Sequence, residues 1–222
     1  MCQIKYDGGW KDKSHTISAC TYNAAKLIKD YDIFGLQEVD LKYRTKFVDT
    51  IKLLRSDINF KFIYGNGIMT GYNVNKTGEG MLLSPPNFLL VDRGMQVIWF
   101  EKLNLIFINL HAPHKINLKL EIEKNCNKIT LPKSPKLIIM TGDFNDYSGN
   151  LIESHLTIFG KRVEIPYKRK LLTCCTDSNY SYPGDYIFTT KYNEGYYGYP
   201  EGYKRGEPLI SDHDPVVYIL DY

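Results

Sequence analysis

Residues 137–145 read Leu137-Ile138-Ile139-Met140-Thr141-Gly142-Asp143-Phe144-Asn145: an unbroken apolar run that gives way to a glycine, an acid and an amide. An apolar run of this length without alternation predicts a strand covered on both faces, in the middle of a packed structure. The acid that follows it sits where a rigid scaffold ends, which is where a functional site places its groups.

The same transition recurs outward along the chain. Ile33-Phe34-Gly35-Leu36 runs into Gln37-Glu38, Leu105–Leu110 runs into His111, and Ser211-Asp212-His213-Asp214 precedes the apolar run Val216–Leu220. Further strands are predicted at Phe60–Tyr64, Gly80–Leu83, Phe88–Val91, Val97–Phe100 and Tyr186–Thr189. Helical spacing appears at Ile17, Cys20, Ala24, Leu27 and Ile28, at Phe47, Ile51 and Leu54, and at Leu118, Ile122, Cys126 and Ile129. Two stretches read as loops: the polar, Gly- and Asn-rich Gly65–Gly78 and the Tyr/Gly/Pro segment Tyr192–Gly206. Strands with interspersed helices and no Pro/Ser-rich linker predict an α/β (α+β) fold in one domain over residues 1–222.

Composition bounds this reading. The chain has 222 residues, is 43% hydrophobic and 24% charged, and so can bury a full core. No apolar run reaches the roughly 18–20 residues of a membrane-spanning helix, and the start lacks the apolar block of a signal peptide. The net charge of +3 neither argues for nucleic acid nor against it. Five cysteines without CxxC spacing predict reduced thiols and an intracellular protein, with Cys174-Cys175 packed or strained and not bridged.

An isolated acid beside a strand is usually a solvated turn residue. Four strand boundaries that supply Glu38, His111, Asp143 and Asn145, and Asp212 and His213 predict convergence on one cleft. Carboxylates with an amide oxygen suit a hard divalent cation. Asp143 is placed to orient or deprotonate a water, His111 or His213 to donate to phosphoryl oxygens, and Asp185 to hold a histidine by its other ring nitrogen. GxxxxGK[ST], HExxH and GxSxG motifs are absent.

The set LQEVD (36–40), NLHAPH (109–114), TGDFND (141–146), GDYIF (184–188) and SDHDPV (211–216) resembles the endonuclease/exonuclease/phosphatase superfamily over roughly residues 16–220. The resemblance implies the deoxyribonuclease I-like fold, a four-layer α/β/β/α sandwich. It implies metal binding at Glu38 and Asp212, with catalytic roles for His111, Asp143, Asn145, Asp185 and His213. Gln37 and His114 are its substrate-binding candidates, with His114 open between that role and a plain loop residue. The implied reaction is in-line attack of water on a phosphoester with Mg²⁺ or Mn²⁺. A phosphodiester of nucleic acid or nucleotides is the first substrate class, acted on by a monomer. Inositol phosphates and sphingomyelin-type lipids are alternatives, as is a weakly catalytic binding protein that keeps the fold. The pattern departs from the family at its start, where a strand ending in Asn is expected. Asn23 falls in a helical stretch, so the first strand is expected to be missing or degenerate within Met1–Trp10.

Overall fold

Apolar residues at helical and alternating spacing produce four helices and twelve strands among the described residues of the computed structural model. Those residues are 17–39, 41–83, 93–114, 117–146, 148–151, 154–174, 182–203 and 213–221, without the side chains of 17–20 and 42. In chain order the elements are α1 (Ile17–Ile28), β1 (Ile33–Leu36), α2 (Leu41–Leu54), β2 (Phe60–Gly65), β3 (Ile68–Asn73), α3 (Val74–Thr77), β4 (Gly80–Leu82) and β5 (Met95–Phe100). There follow β6 (Leu105–His111), α4 (Leu118–Cys126), β7 (Leu137–Asp143), β8 (Leu156–Ile158), β9 (Lys161–Val163), β10 (Asp185–Thr189), β11 (Tyr196–Gly198) and β12 (Val217–Ile219).

Two sheets organise the molecule. One has the order β1-β3-β2 and the other β10-β7-β6-β5-β4, with separate hairpin-like pairs β11-β12 and β8-β9. Strands β6 and β7 are parallel, and α4 lies in the crossover that joins them. The other strand pairs are antiparallel.

The period-2 alternation of β5, β6 and β7 divides the apolar side chains between two cores. Val97, Trp99, Ile106, Ile108, Ile138 and Met140 pack on the α4 side, with Ile122 and Cys126. Ile98, Phe100, Leu105, Phe107 and Leu137 face the other way and meet Tyr72 of β3. A third core joins α1 and α2, through Ala24, Ala25, Phe47 and Ile51, to Phe34, Phe60 and Met69 of the smaller sheet. Helices, sheet, sheet and helix are thus stacked in four layers, as expected.

Three sequence expectations need correction. The segment Gly65–Gly78 is not a loop: β3 is the central, fully buried strand of its sheet. Its Asn66 and Gly67 form a two-residue turn with φ of 47° and 71° between the paired residues Gly65 and Ile68. The polar side chains of β3 are buried with partners, as where Thr70 Oγ1 donates to Gln96 Oε1 at 2.6 Å. Within Tyr192–Gly206, Tyr196–Gly198 is a strand paired with β12, while 204–206 lie outside the described residues. Cys174 is disulfide-bonded, against the expectation of reduced thiols, whereas Cys126 is a buried free thiol.

Asn23 lies within α1 as expected. The expected strand at Phe88–Val91 and the degenerate strand at Met1–Trp10 fall outside the described residues. No helix among the described residues is long and apolar enough to cross a membrane.

Candidate active site

Strand register builds the site. Parallel pairing of β6 with β7 sets His111 opposite Asp143, and antiparallel pairing of β7 with β10 sets Asp143 opposite Asp185. Three residues distant in sequence therefore stand in one row across three neighbouring strands. The row continues into the next strand entry, where His111 N donates to Gly94 O at 2.9 Å.

Gly142 makes the row possible. It has φ of 154°, and a Cβ there would lie 1.9 Å from the Leu110 carbonyl oxygen. Only glycine lets β7 lie that close to β6 in this conformation. The chain then turns: Phe144 N donates to Gly184 O at 2.8 Å and Asn145 N to Asp143 Oδ1 at 2.8 Å. Asn145 Nδ2 donates to Ala112 O at 2.7 Å, tying the turn back to the residue after His111.

His213 joins the row from the far end. Its Nδ1 lies 2.7 Å from Asp185 Oδ2, while Cys174 Sγ is 3.3 Å from its Nε2. Asp185 is set by Thr173, whose Oγ1 accepts from Gly184 N at 3.0 Å and from Asp185 N at 2.9 Å. Asp143, Asp185 and His213 each offer one ligand atom, all within 4.8 Å of one another. These are the oxygen and imidazole donors that a divalent cation accepts.

Glu38 enters from the smaller sheet. Its Oε1 is 3.9 Å from His111 Nε2, and its backbone has φ of 54°. Asn145 likewise has φ of 49°. A non-glycine residue in this region is uncommon, and both are held there by neighbours. For Glu38 the restraint is Val39 N donating to Gly67 O at 2.6 Å and Tyr64 Oη donating to Val39 O at 3.1 Å.

Burial sets the charge states. His111 is 5% exposed, and its desolvation, with the positive charge of Arg93, pushes its pKa down to about 3. It is a neutral imidazole at neutral pH. Burial also lifts the Asp143 carboxyl well above the usual carboxylate range, helped by the negative charge of Asp185.

Sequence reading missed several residues of the site. Arg93 lies against the His111 ring, with Nη1 3.0 Å from Nδ1, and its Nη2 is 3.2 Å from His114 Nε2. Nothing around Arg93 in the sequence distinguishes it from a surface arginine. Asn109 is the amide inside the apolar run of β6, a detectable signal for a buried network. Gln37 Nε2 donates to Asn109 Oδ1 at 2.7 Å, and Asn109 Nδ2 donates to Met69 O at 3.1 Å and Thr70 Oγ1 at 3.2 Å. Gln37 is thus tied into the contact between the two sheets at the border of the cleft. Gly35 allows that contact, since a Cβ there would lie 2.7 Å from the Asn109 side chain.

Glu38, Asp143, Asp185 and His213 line one end of a cavity of ≈ 1080 Å³ that extends between β1 and β12. Of the expected site residues, His111, Asp143, Asn145, Asp185, His213 and Glu38 come together here, with His114 reached through Arg93. Asp212 lies outside the described residues.

No family model matches the sequence. No curated protein matches it either. Solved structures do match in shape. An endonuclease/exonuclease/phosphatase family protein from Leptotrichia buccalis is 14% identical with a TM-score of 0.65, over 96% of this chain and 96% of that one. A humanized D. rerio TDP2 is 16% identical with a TM-score of 0.59, over 92% of each chain. D. rerio TDP2 complexed with single strand DNA product is 15% identical with a TM-score of 0.53, over 80% of this chain and 78% of that one. The layered sheets and these likenesses agree on the fold: the chain folds as the endonuclease/exonuclease/phosphatase family protein and the TDP2 structures do.

Proposed function

We propose that the protein is a metal-dependent phosphoesterase that hydrolyses a phosphodiester of nucleic acid or nucleotides by in-line attack of water. The observation that carries this reading is the row Asp185–Asp143–His111, with His213 held on Asp185 and Glu38 facing His111. Asp143, with its raised proton affinity, is suited to take a proton from water near neutral pH. Neutral His111 offers a ring N–H to a phosphoryl oxygen without a competing charge of its own. The His213–Asp185 bond fixes the His213 ring so that Nε2 is directed away from the carboxylate.

The donor set fits Mg²⁺ or Mn²⁺, with Glu38, Asp212 and the Asp143–Asp185–His213 group as its candidate ligands. Such a cation would polarise the phosphoryl oxygen and offset developing negative charge. Support for a nucleic-acid substrate comes from the likeness to D. rerio TDP2 complexed with single strand DNA product.

The test is hydrolysis of bis(p-nitrophenyl) phosphate with Mg²⁺, followed by plasmid DNA, a phosphotyrosyl oligonucleotide, inositol phosphates and sphingomyelin. Turnover that is lost in Asp143→Asn and His213→Ala is expected. A folded protein that cleaves none of these esters with either cation refutes the reading.

A further inference from the structure

The Tyr/Gly segment has no part in the proposed reaction, yet its hydroxyl groups reach toward the backbone that carries His213 and Asp185. Tyr203 Oη donates to Asp214 Oδ1 at 2.8 Å, on the residue directly after His213. Asp214 is only 3% exposed, so its carboxylate depends on protein donors. Tyr199 Oη donates to Leu172 O at 2.9 Å, and the two tyrosine rings stand 6.3 Å apart.

Leu172 leads into the strip that holds both members of the pair. Asp214 N donates to Thr173 O at 2.6 Å, and Thr173 Oγ1 accepts from the amides of Gly184 and Asp185. Cys174 is bridged to His213 through the backbone, and its sulfur lies 3.3 Å from His213 Nε2. On its other side the segment pairs with the strand that follows His213, Gly198 opposite Val217. The His213 and Asp185 backbones are therefore fastened to one another through residues 172–174 and 214, and two phenol hydroxyls fix that fastening.

We propose that Tyr203, acting through Asp214, and Tyr199, acting through Leu172, are positioning residues for the His213–Asp185 pair. A tyrosine has few rotatable bonds and a ring held by packing, so its hydroxyl sets a distance that a flexible side chain does not. A bond such as that between His213 Nδ1 and Asp185 Oδ2 at 2.7 Å depends on backbone placement to within about half an ångström. Removing a hydroxyl while keeping the ring leaves the packing and releases the tie.

This inference rests on the phosphoesterase reading, and its test separates the two. The variants are Tyr203→Phe and Tyr199→Phe, with Tyr167→Phe as control. Tyr167 Oη donates to Gly195 O at 2.7 Å, on the same segment but away from Asp214 and Leu172. The readouts are kcat and KM for bis(p-nitrophenyl) phosphate with Mg²⁺, and the ring ¹⁵N signals of His213 by NMR. In the two test variants kcat is expected to fall about tenfold, with KM within about twofold of the parent. Their His213 ring signals are expected to move, while those of Tyr167→Phe stay in place. Test variants with unchanged kcat and unmoved His213 signals overturn the proposal. A parent protein that hydrolyses no ester refutes the phosphoesterase reading alone. The ring signals then decide the positioning role, for it if they move and against it if they do not.

Discussion

His111 and Asp143 are register partners on neighbouring parallel strands, and their side chains meet with Nε2 3.4 Å from Oδ2. Burial drives both toward neutrality, and this has opposite consequences for stability. His111, depressed to about 3, stays neutral when folded but takes up a proton when unfolded, so stability falls as pH drops from about 6.5 toward 3. Asp143, raised when folded, has its cost at the other end, as pH climbs from about 4 through its elevated folded value.

Asp143→Asn is accordingly expected to stabilise the metal-free protein above neutral pH, by on the order of 2–4 kcal/mol at pH 8. The gain should be small at pH 4, near the ordinary carboxylate pKa, and vanish below about pH 3, where the parent residue is protonated in both states. Urea denaturation in EDTA at the two pH values measures this, and equal stability of parent and variant at pH 8 contradicts it. The same variant is expected to lose activity by roughly 10²–10⁴-fold.

Removing His213 and removing its partner should differ in size. His213→Ala is expected to lower kcat by about 10²–10⁴-fold, whereas Asp185→Asn keeps a hydrogen-bonding group and should cost about 10–100-fold. Steady-state kinetics on the diester rank the two. If Asp185→Asn were fully active, the negative charge behind the 2.7 Å bond to His213 would have no catalytic role.

Gly142→Ala tests the row itself. The new methyl would lie 1.9 Å from the Leu110 carbonyl oxygen, so β6 and β7 must separate or the backbone must change. A loss of more than about 4 kcal/mol is expected, outside the usual range for a single substitution. Chemical denaturation reports it, and a variant as stable as the parent would show that the strands tolerate a different spacing.

Asn109→Ala probes the contact between sheets. It removes the acceptor for Gln37 Nε2 and the donor to Met69 O and Thr70 Oγ1. A stability loss of about 1–3 kcal/mol is expected from the groups left unpartnered. Because Gln37 adjoins Glu38, activity should fall further than unfolding accounts for at the assay temperature. Activity measured well below the melting point separates the two effects.

Chelation should abolish hydrolysis, and Mg²⁺ or Mn²⁺ should restore it. Metal at a hundred times its dissociation constant is expected to stabilise the parent by about 2.7 kcal/mol. The shift should be smaller in Asp185→Asn, which removes a charged oxygen from the Asp143–Asp185–His213 group. Calorimetric melting with and without metal checks this, and a melting temperature indifferent to the cations excludes a metal site here.

Strand ends were the legible part of this chain. Each site-bearing strand announces itself by an apolar run bounded at one end by a polar residue, because burial and its end are both local properties. The row was not legible, since register between β6, β7 and β10 is a property of pairs far apart in sequence. Strand β3 misled because Thr70, Tyr72 and Asn73 look like loop residues until their hydrogen-bonding partners are known. Asn66-Gly67 was its one local signature, a turn suited to a tight hairpin. Arg93 became visible only through its distance to His111 and His114.

The left-handed backbone at Glu38 and Asn145 sets a conflict for anyone who would make this protein hardier. At both positions glycine is the residue that adopts the observed φ without strain. Replacing either by glycine relieves the backbone and deletes the Glu38 carboxylate that lines the cleft or the Asn145 amide that ties its turn to Ala112 O. A selection for heat tolerance alone would drift toward glycine at these two sites and arrive at a sturdier, silent protein.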